Sequence, residues 1–247
     1  MRVKRRRMNK NVIILTNGLS GSSVLTGLIA RAGYWTGEQT FKKKDYDTFE
    51  NQQLVDLNKK LFTDLGFEED YEMTFDPAYL CPFAETNGRI DDAPFQKFLE
   101  ELDSHQPWIW KDPRLWLTIH YWKHLLNLDE VRFVHLTRDP LQTWTSVTIR
   151  RQIQTLDYLR RYMHGIRDSI REFIADNDLP CLELNYEQIL VQPEASVARI
   201  NEYLGSELTI DDLRAVYRGD LYRKPRDTMD FLKAGLIYLK NYGQRYR

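Results

Sequence analysis

Cysteine is scarce in this 247-residue chain: there are two, Cys81 and Cys181. That excludes a disulfide scaffold, and without a Cys-x-x-Cys pair there is no zinc spacing either. A reducing, cytoplasmic setting is the expectation. Long hydrophobic runs are lacking too. No stretch approaches the ~20 apolar residues that cross a bilayer, so no transmembrane segment is expected. No apolar segment follows the basic start Met1-Arg-Val-Lys-Arg-Arg-Arg7, which is therefore not read as a secretory signal. An excess of either charge is absent as well, the net charge being −1. Because six of the first ten residues are Lys or Arg, the remainder is acidic. A nucleic-acid binder is basic over its body, so no nucleic-acid partner is expected. Residues 1–10 read as a solvated basic tail, capable of weak contact with an anionic surface.

The rest has an ordinary globular balance, 42% hydrophobic and 29% charged, which sets it apart from disordered and collagenous chains. Asn11-Val-Ile-Ile-Leu-Thr16 reads as a buried strand running into a Gly/Ser loop. Val24, Leu25, Leu28, Ile29 and Ala32 then share one helical face, with Gly33 placed as a stop. A helix is expected from Phe49 to Leu65, a loop from Cys81 to Ala93 and a short helix from Pro94 to Ser104. Trp108–Lys111 reads as a second strand, stopped by Asp112-Pro113. Leu115, Ile119, Trp122 and Leu126 stripe the helix after it. Val131–Thr137 is the clearest strand. Ile153 to Phe173 repeats at threes and fours as one long helix. Pro180–Leu184 is a fourth strand, and Val197, Ile200 and Leu204 mark a helix closed by Gly205. Strands alternating with helices predict an α/β fold: three layers, P-loop-like, with a mainly parallel sheet and helices on both faces. Without repeats or low-complexity linkers, residues 11–247 are expected to form one domain.

In such sheets ligands bind beyond the carboxyl ends of the strands. Three ends carry polar clusters: Gly18-Leu-Ser-Gly-Ser-Ser23, Lys111-Asp-Pro-Arg114 and Arg138-Asp-Pro140. Gly18 and Gly21 let backbone N–H groups approach an oxyanion, the helix behind them aims its positive end there, and Ser20, Ser22 and Ser23 add hydroxyls. The plainer reading is a strand-to-helix turn with Ser20 or Ser22 as N-cap. No lysine follows Gly21, so the loop departs from the Walker A spacing, which counts against an ATPase or ordinary kinase; a P-loop-type kinase stays as an alternative. Arg114 and Arg138 are rigid forks suited to phosphate. Ser146 lies about two turns into the helix after Arg138 and faces the same side.

This set resembles the sulfotransferase superfamily that uses 3′-phosphoadenosine 5′-phosphosulfate, in its bacterial carbohydrate and lipid type. Gly18 to Leu25 is similar to that family's 5′-phosphosulfate loop. Phe133-Val-His-Leu-Thr-Arg-Asp-Pro140 with Ser146 resembles its 3′-phosphate motif, and Lys111-Asp-Pro-Arg-Leu115 its second-strand motif. Asn185-Tyr-Glu187 is similar to the segment whose tyrosine, here Tyr186, lies near the nucleotide. The resemblance covers residues 11 to 205. It implies transfer of a sulfuryl group to an acceptor hydroxyl on a carbohydrate or glycolipid, with no metal.

One departure stands out. Leu19 occupies the place where the family carries Lys or Arg against the phosphosulfate. Either Lys111 or Arg114 supplies that charge, or the chain is a weak or inactive homologue that still binds the nucleotide. For the base, Glu50 in Thr48-Phe-Glu-Asn51 and Glu38 in Gly37-Glu-Gln each resemble a family segment, with Asp112 available to orient Lys111. In Arg223-Lys-Pro-Arg226, Lys224 and Arg226 correspond to a late basic loop that closes over the nucleotide. Plainer readings hold elsewhere. His120 and His124 lack a third metal ligand, His135 is a core histidine, and Arg150, Arg151, Arg160 and Arg161 form a solvated helix face. Most of the tryptophans are core. The oligomeric state is not coded.

Overall fold

Asn11–Leu15 forms β1, five consecutive buried residues, as expected for a strand covered on both faces. The computed structural model describes residues 10–67, 80–86, 88–217 and 224–245. The basic tail through residue 9, and Arg223, lie outside the described residues. After β1 come α1 (Ser22–Ala30), β2 (Thr40–Lys42), β3 (Asp47–Asn51), α2 (Gln52–Asp64), α3 (Leu80–Ala84) and α4 (Ala93–Asp103). There follow β4 (Ile109–Lys111), α5 (Leu115–Trp122), β5 (Val131–Thr137), α6 (Pro140–Ile149), α7 (Leu156–Asp176) and β6 (Cys181–Asn185). Helices α8 (Tyr186–Val191), α9 (Pro193–Leu204), α10 (Ile210–Val216) and α11 (Thr228–Lys240) complete the order.

The four long-range strands pair in parallel in the order β4-β1-β5-β6. Ile13 lies opposite Trp110 on one side and Phe133 on the other. Alternate residues of β1 feed two separate cores. Ile13 and Leu15 join the cluster under α2, α4, α5 and α7, which holds Trp110, Trp116 and Trp122. Val12 and Ile14 join the one under α1, α9 and α10. The result is the expected sheet between two helical layers. Its central strand β1 has the chain departing to opposite sides, β4 one way and β5 the other, which is where ligand crevices open in such sheets. No helix among the described residues is long and apolar enough to cross a membrane.

Two local expectations fail. The helix expected from Phe49 starts at Gln52, because Thr40–Lys42 and Asp47–Asn51 form an antiparallel hairpin. Short polar side chains capture its backbone. The Phe49 N–H donates to Asp47 Oδ1 at 2.7 Å, and the Thr48 hydroxyl to the Phe41 carbonyl at 2.6 Å. Asn51 then caps α2, accepting from the Gln53 and Leu54 amides, while Phe49 itself sits at φ 56, outside helical space. The expected loop after Cys81 contains the short helix α3. By contrast, Gly205 closes α9 in the left-handed conformation, as its position predicted.

Candidate functional site

Beyond β1 the chain folds back on itself. The Leu19 N–H donates to Asn17 Oδ1 at 3.0 Å, and the Ser20 hydroxyl bonds to the Asn17 carbonyl and meets the Thr16 hydroxyl. Ser20 is fully buried, so its side chain shapes the loop and does not point outward. Gly18 packs against Pro113 at the end of β4. Gly21, at φ 76, caps α1 with no side-chain hydrogen bond, which replaces the serine cap of the plainer reading. The first amides of α1, together with the Ser22 and Ser23 hydroxyls, therefore form an uncapped positive helix end. A Cβ on Gly21 would lie 2.4 Å from the Tyr186 ring; only glycine fits this left-handed position under that ring. Leu19, partly buried, packs against the apolar cluster that holds Ile13 and Leu15.

Arg138, at the end of β5, spreads its guanidinium over three acceptors: the Leu19 carbonyl at 3.2 Å, Ser146 Oγ at 3.1 Å and Glu187 Oε1 at 3.0 Å. It also sits 5.1 Å from the centre of the Tyr186 ring. Arg226 reaches the same hydroxyl, its Nε 3.2 Å from Ser146 Oγ. Gln142 holds Arg226 there through a pair of backbone hydrogen bonds, at 2.7 and 3.1 Å. Two guanidinium groups thus converge on one buried hydroxyl, with Glu187 and Asp230 as counter-charges. Burial pushes the Tyr186 phenol up to about 12, so it is neutral and protonated. Lys224 is exposed and pairs with Asp227 at 3.4 Å, unlike buried Arg226. The anchors Gln142, Glu187 and Asp230 were not singled out by sequence; Glu187, adjoining Tyr186, carried the only readable signal.

At β4 the structure joins two of the candidate residues to each other. The Lys111 ammonium, 1% exposed, donates to Glu50 Oε1 at 2.5 Å, because hairpin strand β3 packs beside β4. Asp112 does not orient Lys111. It accepts from the Arg114 amide at 2.9 Å and guanidinium at 3.1 Å, and from Asn58 Nδ2 at 2.9 Å. Asn58 is itself fixed by the Trp122 indole N–H at 2.8 Å. This buried network sets the direction of Arg114. Glu38 stays exposed before β2 and is not brought to Lys111. The expected core histidine, His135, is buried. Trp108, Trp110, Trp116 and Trp122 are core, while half-buried Trp144 donates to the Gln154 carbonyl. Arg150, Arg151, Arg160 and Arg161 are exposed.

The sequence model of the sulfotransferase family matches residues 32–211, beginning after α1, so the Gly18–Ser23 loop and that helix lie outside the match. Among solved structures, the sulfotransferase domain from the curacin biosynthetic pathway is 14% identical. Its alignment covers 91% of this chain and 83% of that one, at a TM-score of 0.55. The sulfotransferase domain of the Synechococcus PCC 7002 olefin synthase is 17% identical over 94% and 86% of the two chains, at 0.47. A sulfotransferase of Mycobacterium avium is 14% identical over 95% and 77%, also at 0.47. No curated protein matches the chain.

Proposed function

The chain belongs to the sulfotransferase family, and from that premise we propose that it moves a sulfuryl group from 3′-phosphoadenosine 5′-phosphosulfate to an acceptor hydroxyl on a carbohydrate or glycolipid. One observation carries this reading: Arg138 and Arg226 converge on Ser146 Oγ next to the uncapped start of α1. The donor nucleotide has two separate anionic groups, and two separate clusters of N–H and hydroxyl donors are available to receive them, linked by the contact of Arg138 with the Leu19 carbonyl. The residues fit such a nucleotide chemically, with forked donors for a terminal phosphate and bare amides for a phosphosulfate.

In this reading Arg138, Ser146 and Arg226 take the 3′-phosphate, and Gly18, Gly21, Ser22, Ser23 and the amides of Leu19 and Ser20 take the phosphosulfate. Tyr186 flanks the nucleotide with its ring, and Lys224 adds charge at the rim. When bound, the nucleotide supplies the activated sulfuryl group and departs as the bisphosphate. Glu50 accepts the acceptor's hydroxyl proton as the new O–S bond forms and the bond from sulfur to the phosphate oxygen breaks. Lys111 aims and neutralises that carboxylate. With Leu19 uncharged, the α1 amides and Arg114, steered by Asp112, meet the charge that grows on the leaving phosphate.

A second reading, nucleotide binding without transfer, is favoured by the occupation of Lys111 by Glu50 together with the missing cation at Leu19. Calorimetry and turnover separate the two. The transferase binds 3′,5′-adenosine bisphosphate better than AMP, without a metal, and moves labelled sulfate onto at least one member of a panel of glycans, glycolipids and phenols. Bisphosphate binding with no turnover on any of them supports the second reading. Equal affinity for the bisphosphate and AMP defeats both.

A further inference from the structure

Helix α11 is apolar on two opposite faces. Ala234 is fully buried, with Phe231, Ile237 and Tyr238 half-buried around it, and Tyr238 meets Trp144 of α6 edge-on at 5.6 Å. The opposite face holds Met229, Leu232, Leu236 and Leu239, which are 71%, 58%, 71% and 72% exposed. Their spacing of three, four and three residues aligns them in one stripe. A helix that is hydrophobic all round is ordinarily buried; this one shows four large side chains to water.

The charges beside the stripe indicate what covers it. Lys233 and Lys240 flank it and are exposed. Arg245 follows, stacked 3.6 Å from the centre of the Tyr242 ring. The acids at the other end are already engaged, Asp227 with Lys224 and Asp230 with Arg226. An antiparallel pair of α11 helices from two copies would gather the lysines of both along one side of the seam, like charge against like. The chain's own first ten residues, six of them cations, provide no apolar cover. A surface with phosphates above acyl chains matches both features: leucines for the chains and lysines for the phosphates.

We infer that α11 docks on an anionic lipid bilayer, with Met229, Leu232, Leu236 and Leu239 in the boundary between headgroups and acyl chains and Lys233 and Lys240 on the headgroup phosphates. This is surface attachment, not insertion, and it is independent of sulfuryl transfer. It concerns the helix that follows Arg226 directly and rests on the helix bearing Ser146, so the anion site stands next to the lipid.

Co-sedimentation of the full chain with vesicles of phosphatidylcholine, alone or mixed with phosphatidylglycerol, tests it. The wild-type chain pellets with the mixed vesicles, and Leu232→Asp/Leu236→Asp reduces the bound fraction by about tenfold or more. The far-ultraviolet circular dichroism of this variant is unchanged, because both side chains already face water. Lys233→Glu/Lys240→Glu weakens the preference for the anionic vesicles, leaving only the part due to the basic first ten residues. Three results overturn the inference. One is no pelleting of the wild type. Another is full pelleting of the leucine variant, which assigns binding to the basic first ten residues. The third is a wild-type dimer in light scattering that the leucine variant splits while vesicles stay unbound, which makes a second copy the cover.

Discussion

Lys111 and Glu50 form an ion pair across 61 residues of sequence, the ammonium buried and the carboxylate partly so, with Nζ 2.5 Å from Oε1. Each residue carries a catalytic expectation by itself; together they act as one unit, a carboxylate aimed by an ammonium at the end of β4. Residues that share a unit respond non-additively. Glu50→Gln and Lys111→Ala are each expected to lower turnover by about 100-fold, and the double variant by little more than either. Bisphosphate affinity stays within about tenfold in all three, since the proposed anion site, at Arg138, Ser146 and Arg226, is elsewhere. Lys111→Ala also lowers stability by up to about 3 kcal/mol, because it leaves a largely buried carboxylate without its partner. Turnover with labelled donor, calorimetry and thermal melting provide these numbers; multiplied effects in the double variant would separate the two residues.

Arg138→Ala removes a charge-assisted contact and is expected to weaken 3′,5′-adenosine bisphosphate by about 10- to 100-fold while leaving AMP, which has no 3′-phosphate, nearly unchanged. Ser146→Ala costs less, about threefold to tenfold, because a neutral hydroxyl is lost and both guanidinium groups remain. Equal losses for both nucleotides would place the phosphate elsewhere.

Gly21→Ala puts a methyl at φ 76, 2.4 Å from the Tyr186 ring. Destabilisation of about 1–3 kcal/mol and weaker bisphosphate binding are expected. In a Tyr186→Ala background the steric part disappears and only the backbone cost remains. Melting temperatures of the four proteins in this cycle test the claim, and additive losses would contradict it.

Burial pushes His135 down to about 4, with Arg171 and Arg167 adding to the depression and Glu183 opposing it. Burial also takes His120 to about 4. The unfolded chain therefore binds these two protons near the ordinary value of 6.5, before the folded chain does. The stability that the neutral rings contribute is complete above about pH 6.5, falls as the pH drops, and levels off below about pH 4. His135→Asn is expected to lower the slope of unfolding free energy between about pH 5 and 6.5, and the double variant with His120→Asn to lower it further. Urea unfolding at stepped pH measures the slope; an unchanged slope in the double variant would assign the protons to other groups.

The strands of the parallel sheet and the helices α7 and α9 are legible from local pattern, because a covered strand is an apolar run and a covered helix repeats at threes and fours. The polar strand ends, Gly18 to Ser23, Lys111 to Arg114 and Arg138, are legible too, since ligands in such sheets gather where strands stop. The hairpin β2–β3 is not. Its backbone is held by Asp47 and Thr48 through side-chain bonds that no apolar period reports, and the helical spacing of the leucines takes over only from Gln52.

Residue chemistry and order along the chain thus determined the layered fold, its family and the candidate list for the anion site. Tertiary structure alone decided how the candidates group. Lys111 turned out to be bound by Glu50, Asp112 to serve Arg114 through Asn58, and Arg226 to close on Ser146 from 80 residues away. The reason is physical. A periodic pattern reports which face of an element is buried, but an ion pair or a shared hydroxyl depends on where two distant backbones meet, and only the packed sheet and its helices set that distance.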